Sequence, residues 1–112
     1  MELEIAERSD NLTRLVLRGR LDTPGVDAIE SRMNAALGRG GNVVVDLAEV
    51  TFLSSLGIRL LISTAKLVAR NKGRMVLVGP KPLVDQALRH SSIDDLIPVA
   101  ADLALARALL ET

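Results

Sequence analysis

The sequence predicts a single α/β domain over residues 1–112, with a four- or five-stranded mixed, mostly parallel sheet and about four helices mainly on one face. Three observations predict it. Apolar and polar residues alternate through "LEIAE" and "LTRLVLRGRL", as in strands with one buried face. Two β-branched runs, "NVVVDL" and "RMVLVG", are continuously apolar, as in strands buried on both faces. Each of these runs follows a segment of helical periodicity, and strands separated by helices imply right-handed crossovers and parallel pairing.

Residues 3–7 and 12–21 form an opening hairpin turned by Ser9, Asp10 and Asn11, which puts the first strand antiparallel at an edge. Thr23 and Pro24 mark a helix start, since proline is tolerated where the helical N–H would go unpaired anyway. Val26, Ile29, Met33, Ala36 and Leu37 then recur at helical spacing before a glycine-rich stop. Strand 42–47 closes at Asp46 and leads through the loop "DLAEVTFLSSLGIR" into a second helix ending at Gly73. That helix carries apolar residues on more than one face, which predicts extensive burial. Strand 74–79, a short helix over 81–92, a brief strand or extended segment in "LIPVA" and a helix over 101–112 complete the chain. The most continuous apolar runs place Val44, Leu60, Leu61, Val76 and Leu77 in the core.

Composition excludes several kinds of function. The 14 basic and 14 acidic side chains cancel, so no basic face is expected for nucleic acid or anionic lipid. Phe52 is the single aromatic residue, which removes the stacking platforms that bases and sugars use. With no cysteine and one histidine, His90, neither disulfides nor a thiolate or histidine metal cluster can form. His90 beside Ser91 and Ser92 reads as a helix end, with no nucleophile for it to activate. There is no glycine-rich phosphate loop, no nucleophile elbow and no carboxylate cluster at the first strand's end to hold magnesium. The N-terminus has no basic region followed by an apolar run, and no stretch approaches the roughly 20 apolar residues of a membrane span. A non-enzymatic, cytoplasmic binding module without cofactor is the expectation.

In mostly parallel sheets function gathers where strands end and helices begin. Two segments qualify, "GRLDTPG" and the loop holding Ser54 and Ser55; if their strands are neighbours, Asp22 and the serine pair share one edge of the domain. Serine is among the best helix caps, worth about 1 kcal/mol over alanine, and the amides that reward a cap also accommodate phosphate. Capping and a functional role are both open for the serines and for Asp22. Asp46 reads as a residue that bonds loop amides. Arg59, one helical turn beyond the serines, reads as a partner contact or a solvated arginine. Of Phe52 and Leu53, one is expected buried and one exposed, and exposed Leu56 and Ile58 would suit a protein interface.

"GRLDTPGVDAIE", "VVVDLAEVTFLSSLGIRLLI" and "GRMVLVGPKPLVDQAL" together resemble the successive landmarks of STAS domains, in particular the bacterial anti-sigma factor antagonists. The resemblance covers nearly the whole chain. It implies a regulator of transcription that switches partners. The unphosphorylated form binds an anti-sigma factor and releases the sigma factor. That anti-sigma factor is a serine kinase holding ATP and magnesium itself, and it ends the complex by phosphorylating a serine at the start of the central helix. A phosphatase would reverse the step. The family's serine falls on Ser55, with Ser54 capping the helix beside it and standing as the fallback, and its Gly-X-Leu-Asp motif falls on Gly19 to Asp22. Asp22, Thr23, Ser54, Ser55, Leu56, Gly57, Ile58 and Arg59 are the implied partner surface. Typical members carry aspartate where this chain has Ser54, a change that removes a repulsive neighbour from a phosphate of about −1.5 to −2 charges. STAS domains also serve as unphosphorylated subunits of lipid ABC transporters, and a nucleotide- or lipid-sensing module is the third reading. None of the three implies nucleic-acid binding or insertion of this chain into a membrane.

Overall fold

The computed structural model describes residues 1–9 and 11–111. Strand β1 (Glu2–Arg8) turns into β2 (Leu12–Leu21), and α1 (Thr23–Leu37), β3 (Asn42–Leu53), α2 (Ser55–Arg70) and β4 (Met75–Val78) follow. After α3 (Pro82–His90) come a short 3-10 turn (Ile93–Asp95), β5 (Val99–Ala100) and α4 (Leu103–Leu110). The sheet has five strands in the order β1-β2-β3-β4-β5, with β1 antiparallel to β2 and every other pair parallel. The expected mixed sheet with an antiparallel first strand at its edge is thus present. Of the expected hairpin turn, Asp10 lies outside the described residues, while the Ser9 amide donates to Leu12 O at 2.8 Å.

Helices α1, α2 and α3 cover one face, where Leu15, Leu17 and Leu21 of β2 and Val43, Val45 and Leu47 of β3 are buried with Ile29, Met33, Leu60, Leu61 and Leu88. The opposite face is covered by α4, whose Ala106 packs with Val44, Val76, Val78 and Ala100. Residues 43–45 and 75–78 are buried on both faces, as their continuous β-branched character requires. All five residues assigned to the core from sequence are buried.

Two elements differ from expectation. Strand β3 does not stop near Asp46 but continues to Leu53, so most of the expected loop is strand, and Asp46 lies inside it. Register shifts between Val16 and Arg18 and between Gly19 and Arg20 mark bulges where β3 advances further than β2. Buried residues in this half therefore fall at Leu47, Val50 and Leu53, three apart, and an alternating pattern cannot reveal the strand. Arg18 pins the extension by reaching Glu49 at 2.9 Å and Glu4 of β1 at 2.8 Å. Helix α2 is less enclosed than expected. Gly57, Leu60, Leu61, Thr64 and Val68 form one buried stripe, while Ile58, Ile62, Ala65 and Leu67 are half-buried beside it. In "LIPVA" Val99 and Ala100 form the expected brief strand, after Leu96 closes the preceding turn through its amide to Ile93 O at 2.9 Å.

Candidate functional site

Strands β2 and β3 run parallel as neighbours and end together, with Leu21 opposite Leu53. One residue after each strand a helix begins, so Asp22 and Ser54 occupy equivalent places at adjacent helix starts. Both are extended N-caps. An Asp22 carboxylate oxygen accepts from the Gly25 amide at 3.0 Å, and Ser54 Oγ accepts from the Gly57 amide at 3.1 Å. Each bond satisfies one of the donors that a helix leaves unpaired in its first turn.

Ser54 also donates its hydroxyl to Leu21 O at 2.9 Å, and its amide donates to the same oxygen at 3.1 Å. Its hydroxyl is thus engaged as donor and acceptor, and the side chain is half-buried. Ser55, the first residue of α2, is exposed, and its hydroxyl bonds no other group among the described residues.

Two glycines allow this close junction. A Cβ on Gly57 would sit 2.5 Å from Leu21 O and 2.9 Å from side-chain carbons of both Leu21 and Leu53. A Cβ on Gly25 would collide with the Arg20 carbonyl. Gly57 is buried and lies beneath the exposed surface of the site, where its role is to let α2 approach β2. Leu56 and Ile58, expected to be exposed, are half-buried because both lean on the main core. Thr23 and Arg59 are exposed.

The electrostatic centre of the site is Asp22. The Gly25 N–H bond holds its carboxyl below the ordinary carboxylate range; partial desolvation opposes this, and Arg20 adds to the lowering. Arg20 Nε lies 3.2 Å from the Asp22 carboxylate, and its guanidinium stacks over the Phe52 ring at 4.4 Å from the centroid. Phe52 is 41% exposed while Leu53, the next residue, is 8% exposed, the split expected for the pair.

Arg20 and Phe52 therefore belong to the surface that carries Asp22, although the sequence reading assigned neither of them to it. Phe52 is the only aromatic residue, a signal that was present; its register partner Arg20 became visible only once β3 extended alongside β2. Asp46, elsewhere on β3, accepts from the Ala48 amide at 2.9 Å, so it bonds a strand bulge in place of the expected loop amides. Among the described residues no group of three or more acidic, histidine or cysteine side chains could hold a metal ion, and no helix is long and apolar enough to cross a membrane.

This chain is 27% identical over 107 residues to the Bordetella bronchiseptica protein BtrV, provisionally named an anti-sigma factor antagonist, covering 95% of this chain and 92% of that one. Its fold superposes on an anti-sigma factor antagonist from Mycobacterium paratuberculosis with a TM-score of 0.88 at 21% identity, covering 99% and 94% of the two chains. The anti-sigma factor antagonist SpoIIAA in its unphosphorylated form gives a TM-score of 0.76 at 20% identity, covering 99% and 96%. The phosphorylated form of Bacillus SpoIIAA gives 0.69 at 20% identity, covering 96% and 97%. Residues 4–106 match the family model of the STAS domain, and the chain belongs to the STAS domain family.

Proposed function

We propose that this chain is a cytoplasmic anti-sigma factor antagonist that switches partners through phosphorylation of Ser55. It binds a kinase-type anti-sigma factor through Asp22, Thr23, Ser54, Ser55, Leu56, Ile58 and Arg59, with Arg20 and Phe52 beside them. It catalyses nothing itself; the partner holds ATP and magnesium and transfers the phosphoryl group. The relatives' names support the antagonist assignment, and one of them has a phosphorylated form.

The observation that carries the choice of serine is the difference between two adjacent hydroxyls. Ser54 is fastened to the Gly57 amide and to Leu21 O, and withdrawing it would release the cap of α2. Ser55 is exposed and unbonded at the head of the same helix, so a kinase can take its hydroxyl without breaking a bond of the fold. A phosphate there places about two negative charges on a surface flanked by half-buried Leu56 and Ile58. Burying that dianion against a partner lacking a matched cation costs more than the contact returns, so the complex dissociates.

Calorimetric titration of the cognate anti-sigma factor with three forms of the protein tests this reading. Unmodified protein and Ser55→Ala bind alike, and Ser55→Asp binds at least tenfold more weakly, about 1.4 kcal/mol. Equal affinity for all three forms contradicts the switch.

A further inference from the structure

We infer that Arg59 receives the phosphate of a modified Ser55 within the same helix, an inference that rests on Ser55 being the phosphoacceptor. The two residues are exposed and four apart on α2, so they lie on the same face one turn apart, with the anion on the N-terminal side, the favoured order for such a pair. A guanidinium presents a planar fork of donors that matches phosphate oxygens.

Arg59 is uncommitted in the unmodified protein. No hydrogen bond, ion pair or ring contact joins its side chain to another described residue. Its neighbours one turn away in either direction are Ser55, Leu56, Ile62 and Ser63, none of them charged, and α2 has no acidic residue in its first turn. A phosphate on Ser55 would be its sole charged partner at helical spacing. The other arginine of the site, Arg20, is already held by Asp22 at 3.2 Å and by the Phe52 ring.

The pairing gives one modification two consequences. It sets a dianion on the partner surface, and it withdraws from that surface a cation which the unmodified protein leaves free to meet the partner. It also makes the phosphorylated form more stable than the unmodified one.

The test uses full-length protein with phosphoserine installed at position 55 during translation, so that no kinase is needed, in wild-type, Arg59→Gln and Arg20→Gln backgrounds. Phosphorylation raises the urea midpoint of the wild type; at least half of the gain disappears in Arg59→Gln, and it persists in Arg20→Gln. The side-chain Nε–H resonance of Arg59 moves on phosphorylation, and by more than that of Arg20. Absence of a gain in the wild type, a gain undiminished in Arg59→Gln, or an unmoved Arg59 resonance overturns the inference. A kinase that leaves Ser55 unmodified would defeat the switch without touching this result, and a negative result here would leave the switch standing.

Discussion

The carbonyl oxygen of Leu21 accepts two hydrogen bonds from Ser54, one from the amide at 3.1 Å and one from Oγ at 2.9 Å. Two groups of one residue thus tie the end of β2 to the start of α2, and the Ser54 hydroxyl caps the helix as well. Ser54→Ala removes the cap and the donated bond together. It should lower stability by about 1–2 kcal/mol, read as a shifted urea midpoint with an unchanged slope. A variant as stable as the wild type would show that this junction does not hold the two elements.

Gly57→Ala separates packing from helix propensity. Alanine is favoured over glycine by about 1 kcal/mol within a helix, so a surface site would gain stability. Here the added methyl meets Leu21 O and the Leu21 and Leu53 side chains, and the contact atom at 2.5 Å is backbone. The variant should lose about 1–3 kcal/mol net, measured by chemical denaturation. A more stable Gly57→Ala would mean that α2 can withdraw from β2 at little cost.

Much of the fold was legible because its periodicities are regular. The hairpin alternates, the two β-branched runs are buried on both faces, and Pro24 and the glycines after Leu37 bracket α1. The second half of β3 was not legible, because its bulges space Leu47, Val50 and Leu53 three apart, a spacing that belongs to neither an alternating strand nor a loop. The same bulges hide the register that sets Arg20 beside Phe52. The juxtaposition of Asp22 with the serines was foreseen conditionally, and the condition, that β2 and β3 are neighbours, is met. Residue type alone left either hydroxyl able to cap; the family resemblance put the cap on Ser54, and the local geometry shows it there, with Ser54 Oγ accepting from the Gly57 amide.

Asp22→Asn keeps an oxygen for the Gly25 amide while removing the charge, so stability and function should come apart. The thermal midpoint should stay within about 5 °C of the wild type, while partner affinity or the rate of phosphate transfer falls tenfold or more, about 1.4 kcal/mol. The charge also leaves a signature in acid. The folded-state pKa of Asp22 lies below its unfolded value, so its contribution to stability is complete above the unfolded pKa and fades as pH falls through the lower folded one. Asp22→Asn should therefore lose part of the wild type's acid sensitivity below about pH 4 in thermal scans. Unaltered affinity and transfer rate in a folded variant would reduce Asp22 to a turn residue.

The most direct measurement of the central claim is site mapping by mass spectrometry after incubation with the cognate anti-sigma factor kinase, ATP and magnesium. A single phosphate on Ser55 is the predicted result, with no label on Ser55→Ala even though Ser54 remains beside it. A phosphate on Ser54 would contradict the assignment drawn from the two hydroxyls' bonding, and a competent kinase that modified neither serine would contradict the switch itself.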